Sequence, residues 1–135
     1  MQPTRILIAE DDIPFRTSVA EILRDAGKEV TEVGSGDEAL EALSTASYDL
    51  LISDVMMPAP LGVHVAAMMR TAGTSIPILV ITASKDPEIA NIVSRLDRAR
   101  LLYKPFTRAQ LVACVDALVP SPTAGGPDLA PVPTP

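Results

Sequence analysis

Three short stretches of this chain are apolar at every position, and each ends abruptly in polar side chains. Ile6-Leu7-Ile8-Ala9 runs into Glu10, Asp11 and Asp12; Leu50-Leu51-Ile52 runs into Ser53 and Asp54; Ile78-Leu79-Val80-Ile81 runs into Thr82 and Ala83. A strand with one solvated face alternates apolar and polar residues. Unbroken apolar runs of this length suit strands covered on both faces, as in a parallel sheet between two layers of helices. Ligands of such sheets sit beyond the carboxyl ends of the strands. The polar residues closing the runs are therefore the first place to look for chemistry. An isolated aspartate at a strand end more often just binds a loop, so Asp54 gains meaning only from the groups that accompany it.

The segments between these runs read as helices and turns. Pro14 suits a first helical turn, where its missing N–H costs nothing, and Phe15, Val19, Ile22, Leu23 and Ala26 recur at helical spacing until Gly27. Residues 29–33 alternate weakly and predict a second strand. Ser35 with Glu38 has the form of a capping box opening a short helix through Ala39, Leu40 and Leu43, and Thr107 with Gln110 repeats it ahead of Leu111, Val115, Leu118 and Val119. Residues 62–72 predict a further helix ending near Gly73. Asp86-Pro87 predicts a capped helix carrying Ile89, Ile92, Val93 and Leu96, and Leu101-Leu102-Tyr103 predicts a last strand closed by Lys104-Pro105. Strands alternating with helices imply a parallel sheet with right-handed crossovers. The expectation is an α/β, doubly wound (βα)5 domain over residues 1–119. Residues 120–135 are dominated by proline and glycine, offer too little apolar surface to fold, and are expected to form an extended or disordered tail or linker.

Composition narrows the function. The formal net charge is -6 and no basic run is present, which disfavours a surface built to hold nucleic acid. Hydrophobic residues make up 47% of the chain but aromatics only 3%, so the core is aliphatic. The single cysteine, Cys114, falls on a helical apolar stripe and reads as an inert thiol. No stretch has the form of a signal peptide or a membrane span, which leads to the expectation of a cytoplasmic protein without membrane contacts.

The strand ends collect Glu10, Asp11, Asp54, Thr82 and Lys104 at one sheet edge. Clustered carboxylates repel unless a cation is present, and hard oxygen donors suit Mg²⁺; the His or Cys cluster that zinc prefers does not occur. A carboxylate beside Mg²⁺ can attack phosphorus and form an aspartyl phosphate. A hydroxyl and an ammonium, here Thr82 and Lys104, have the character to hold the equatorial oxygens.

This set, in this order, resembles the response-regulator receiver domain, of the short single-domain kind related to chemotaxis receivers. The resemblance covers residues 5–119. It is carried by the acids closing the first run, Asp54 to Pro58 with Gly62, Thr82-Ala83, and Lys104-Pro105-Phe106; each piece alone is weak and together they are specific. The resemblance implies a flavodoxin-like fold with strand order 2-1-3-4-5. It implies that Asp54 accepts a phosphoryl group from a sensor histidine kinase or a histidine phosphotransfer protein, as a switch in two-component signalling and not as an enzyme. Metal ligands would be Asp11, Asp54 and the Met56 carbonyl, with Glu10 acting partly through water; Thr82 and Lys104 would grip the phosphoryl group, and the Lys104-Pro105 bond would be cis. Asp12 is left to cap the first helix. A downstream protein target and a phosphorylation-dependent homodimer complete the implied partners.

Some positions depart from the family pattern. The switch aromatic expected three residues before the lysine is Leu101; Tyr103, on the same strand face, is the substitute, against the bland reading of an ordinary strand tyrosine. Asp97 stands near a usual glycine and is expected to tolerate the left-handed conformation there. Leu61 replaces a usual acid. His64 reads as a surface residue, and Met56, Met57, Met68 and Met69 as gap-filling or loop residues. Met56 and Ser84, two residues after Asp54 and Thr82, flank the path for water. An interaction module that is never phosphorylated would have lost one of the key groups, and none is lost. A haloacid-dehalogenase-type hydrolase wants an acid where Met56 stands, and an FMN-binding flavodoxin-like protein wants a phosphate loop that the chain lacks.

Overall fold

The computed structural model describes residues 3–54 and 76–119. In chain order these form β1 (Arg5–Ala9), α1 (Ile13–Asp25), β2 (Glu29–Val33), α2 (Gly36–Thr45), β3 (Leu50–Asp54), β4 (Ile78–Thr82), α3 (Pro87–Ser94), β5 (Ala99–Tyr103) and α4 (Arg108–Leu118). The five strands make one parallel sheet in the order β2-β1-β3-β4-β5. The three fully apolar runs are its three central strands, and β3 and β4 are buried at every position. Side chains alternate between two cores. Leu7, Ala9, Leu51, Ile78 and Val80 face one side with Ala39 of α2 and Val93 of α3. Ile6, Ile8, Leu50, Ile52, Leu79 and Ile81 face the other with Val19, Ala20 and Leu23 of α1 and Leu111 and Val115 of α4. Each fully buried aliphatic side chain contributes roughly 1.5–3 kcal/mol of burial, and that is why a chain so poor in aromatics still closes a core.

The helix ends follow their local chemistry. Asp12 caps α1, its carboxylate accepting the Phe15 N–H at 3.2 Å, with Pro14 in the first turn. α1 stops at Gly27, whose φ of +88° lets the Gly27 N–H reach the Arg24 carbonyl and the Lys28 N–H the Leu23 carbonyl. Thr107 and Gln110 form the full reciprocal capping box. The expected box at α2 is half formed. Ser35 Oγ accepts the Glu38 N–H, but the Glu38 carboxylate reaches past Ser35 to the Gly34 N–H at 2.6 Å, because that donor too is left free by the approaching chain. β5 begins two residues earlier than Leu101, since Ala99 and Arg100 extend the pairing with β4 opposite Ile78 and Leu79. The left-handed residue before β5 is not Asp97 but Arg98, with φ of +57°; its carbonyl accepts the Ile78 N–H at 3.0 Å, so the turn is held from the β4 side. Lys104-Pro105 is cis, in line with the resemblance. The helix expected at 62–72, the tail at 120–135, and Met56, Met57, Leu61, His64, Met68 and Met69 lie outside the described residues.

Candidate functional site

The order of the strands reverses between β1 and β3, and the crevice at their carboxyl ends is where an open parallel sheet receives a ligand. Register does the assembling. Ala9 pairs with Ser53, so the next residues, Glu10 and Asp54, stand side by side; Asp54 pairs with Ile81, which sets Thr82 one step further on; and Thr82 pairs with Tyr103, which delivers Lys104. The Lys104 N–H donates to the Thr82 carbonyl at 2.9 Å, continuing the ladder past the strand end.

The side chains meet accordingly. Lys104 Nζ donates to Asp54 Oδ2 at 2.9 Å and lies 3.9 Å from Glu10 Oε1. Asp54 is 5% exposed, Glu10 3% and Thr82 fully buried, so the carboxylates carry far stronger interactions than surface acids do. Glu10 Oε2 accepts the Asp12 N–H at 3.0 Å, while Oε1 is buried and receives no hydrogen bond among the described residues. Burial, and next the adjoining Asp54 carboxyl, push Glu10 up to about 8, against the opposing pull of the Asp12 N–H and the Lys104 ammonium. A proton on Glu10, shared toward Asp54, or a cation placed between the two carboxylates, relieves the same repulsion. Asp11, the remaining expected acid, is exposed, and among the described residues no three acidic, histidine or cysteine side chains group closely enough to hold a metal. The donor chemistry that is gathered, two buried carboxylates with one orphaned oxygen, is of the hard-oxygen kind that suits Mg²⁺.

Other contacts were not read from the sequence. Arg16 Nη1 donates to the Glu10 carbonyl at 3.0 Å while its Nε pairs with Glu32 at 3.3 Å, tying the end of β1 to β2. Thr82 Oγ1 accepts the Ser84 N–H at 3.0 Å, Ser84 Oγ accepts the Asp86 N–H at 3.2 Å, and Asp86 Oδ1 accepts the Glu88 N–H at 3.0 Å, a ladder from the sheet edge into the first turn of α3. The Lys104 ammonium lies 4.0 Å from the centre of the Phe15 ring, and Phe15 meets Phe106 edge to face at 5.9 Å. Spacing alone had assigned Phe15 to the apolar stripe of α1, and only its position one turn into the helix that follows the acids hinted at more. Leu101 packs on the core shared with α2 and α3, whereas Tyr103, half-buried, lies beneath the Lys85 ammonium at 4.1 Å.

A family model described as the response regulator receiver domain matches residues 6–116. The chain belongs to the response-regulator receiver family. The receiver is 34% identical over 118 residues to the transcriptional regulatory protein PdtaR of Mycobacterium tuberculosis, an alignment covering 87% of this chain and 57% of that protein. It is 36% identical over 115 residues to the probable transcriptional regulatory protein SilR of Salmonella typhimurium, covering 85% and 50%. The receiver thus spans little more than half the length of the curated relatives it matches. Among solved structures it is similar to the chemotaxis response regulator CheY4 of Vibrio cholerae, with a TM-score of 0.80 at 30% identity over 87% of this chain and all of that one. It is also similar to the response regulator TrrA of Thermotoga maritima, solved in complex with Mg²⁺ and BeF, with a TM-score of 0.78 at 28% identity over 86% of this chain and 99% of that one. These relations establish a receiver domain of two-component response regulators with the flavodoxin-like fold. No helix among the described residues is long and apolar enough to cross a membrane.

Proposed function

We propose that this receiver accepts a phosphoryl group on Asp54 from a histidine kinase or a histidine phosphotransfer protein and, once phosphorylated, changes its affinity for a protein partner. The observation that carries the reading is the meeting of Asp54, Glu10 and Lys104 at the sheet edge, with the ammonium 2.9 Å from Asp54 Oδ2. Asp54 presents a carboxylate oxygen that forms the new P–O bond as the P–N bond of a phosphohistidine breaks. Lys104, on its flexible stem, follows the charge from the carboxylate to a phosphoryl oxygen, and Thr82, whose Oγ1 accepts the Ser84 N–H, donates its hydroxyl proton to another phosphoryl oxygen. Glu10 and Asp54, with Asp11 and the Met56 carbonyl, are the residues that would hold Mg²⁺. That ion, when bound, neutralises charge on the transferring group.

The added charge, from one negative unit to about two, with three strong acceptors, is large for a site this buried. Thr82 is linked through Ser84 and Asp86 to the first turn of α3, so motion of its hydroxyl reaches that helix end. Tyr103, half-buried beneath the Lys85 ammonium, is the aromatic on that route. The test is labelling by acetyl phosphate or by a cognate kinase, with Mg²⁺ present. Wild type gains one acid-stable, base-labile acyl phosphate and Asp54→Ala gains none. Equal labelling of both, or none of wild type by its cognate kinase, would refute the proposal.

A further inference from the structure

Lys104 has the longest side chain, with the most rotatable bonds, of the groups that converge on Asp54. A lysine carries up to about 2 kcal/mol of side-chain entropy that must be given up when its ammonium is held in one place. Among the described residues, two of its three close neighbours are carboxylates, Asp54 Oδ2 at 2.9 Å and Glu10 Oε1 at 3.9 Å. The first of these changes when the site works: Asp54 gives up its carboxylate charge to the mixed-anhydride linkage of an acyl phosphate on phosphorylation. The third neighbour does not change: the face of the Phe15 ring, 4.0 Å from the ammonium, attracts a cation in either state. Phe15 is itself braced edge to face, at 5.9 Å, by Phe106, two residues beyond Lys104, so the ring that supports the lysine is located by the segment that carries it.

We propose that Phe15 is a positioning residue for phosphoryl transfer: its ring, braced by Phe106, holds the Lys104 ammonium over the Asp54 pocket independently of the charge on Asp54. The part concerning transfer rests on Asp54 being the phosphoacceptor; the part concerning where the ammonium sits does not. Leucine at residue 15 keeps the apolar bulk on α1 and removes the ring face, whereas tyrosine or tryptophan keeps both.

Two measurements test this. The chain has three lysines, Lys28, Lys85 and Lys104, so the ε-methylene protons of Lys104 can be assigned by their loss in Lys104→Met. In wild type and Phe15→Trp they are shielded by the ring current, and in Phe15→Leu they return to the positions of an ordinary lysine. With acetyl phosphate and Mg²⁺, Phe15→Leu is labelled about three- to tenfold more slowly than wild type, the range a cation–ring contact at a half-buried site supports. Phe15→Tyr restores the rate, and Phe15→Leu adds no further slowing in the Lys104→Met background. A merely structural role would slow the Lys104→Met protein as well. Unshifted Lys104 protons in Phe15→Leu overturn the proposal, as does a wild-type labelling rate for that variant. If wild type itself takes no label, the phosphoacceptor reading fails, and the Lys104 shifts alone decide whether Phe15 holds the ammonium.

Discussion

Withdrawing Mg²⁺ and raising the pH from 5 to 8 should destabilise this receiver, and Glu10 is the reason. Its folded-state pKa is about 8, against 4.5 for a free side chain, with burial the main cause. The folded state therefore binds a proton that the unfolded state has released across that window. Stability is greatest below about pH 4.5 as far as this group is concerned, falls as pH rises, and levels off above about 8. At 1.36 kcal/mol per pKa unit the loss between pH 5 and 8 is on the order of 3 kcal/mol. Half of that would lower the melting temperature by about 6 °C for a domain of this size. Added Mg²⁺ should flatten the slope, because a cation bound only to the folded form takes the place of the proton. The assay is a set of thermal melts at pH 5, 6, 7 and 8 in chelator and in saturating Mg²⁺, with Glu10→Gln as control. Calorimetry in buffers of different ionisation heat should show up to one proton released per Mg²⁺ bound at pH 7. A wild-type slope in chelator that matches the slope of Glu10→Gln would refute the reasoning, since other groups would then be producing it.

Further outcomes follow from single contacts. Lys104→Met, which removes the ammonium 2.9 Å from Asp54, should slow labelling by acetyl phosphate by about tenfold or more, the scale of a charged hydrogen bond, while Glu10 titrates higher still when followed by carbonyl NMR. Asp86→Ala deletes the cap of α3 and should cost about 1 kcal/mol in denaturant melts with the labelling rate unchanged; a slowed rate would mean that the Thr82 ladder also serves the chemistry. Arg98→Gly relieves a left-handed backbone and should stabilise by about 1 kcal/mol; a lower melting temperature would show that the Arg98 side chain outweighs the strain. The chain has two tyrosines and no tryptophan, so in Tyr48→Phe the emission is that of Tyr103. Adding Mg²⁺ and beryllofluoride should change it as the ring leaves Lys85, and constant emission would remove Tyr103 from signal transmission.

Much of this receiver could be read without coordinates, and the residues show why. The central strands announce themselves because burial on both faces demands apolar side chains at every position, and Ile6 to Ala9, Leu50 to Ile52 and Ile78 to Ile81 satisfy that demand locally. Asp12, Asp86, Thr107 and Gly27 mark helix ends through bonds within a few residues of themselves. Order along the chain was also enough to nominate Glu10, Asp54, Thr82 and Lys104, since each closes a strand.

Contacts between distant segments could not be read in this way. That Lys104 bonds Asp54, that Glu10 has a buried oxygen with no hydrogen bond among the described residues and is pushed up to about 8, and that Phe15 lies under the ammonium depend on sheet register and on how α1 leans against the Lys104 segment. So does the choice of Arg98 over Asp97 for the left-handed turn, which is settled by a hydrogen bond from β4. Apolar periodicity is a property of one segment and survives in one dimension. Distances between charges, and the burial that sets how strongly those charges interact, exist only once segments fifty residues apart are brought side by side, as Asp54 and Lys104 are.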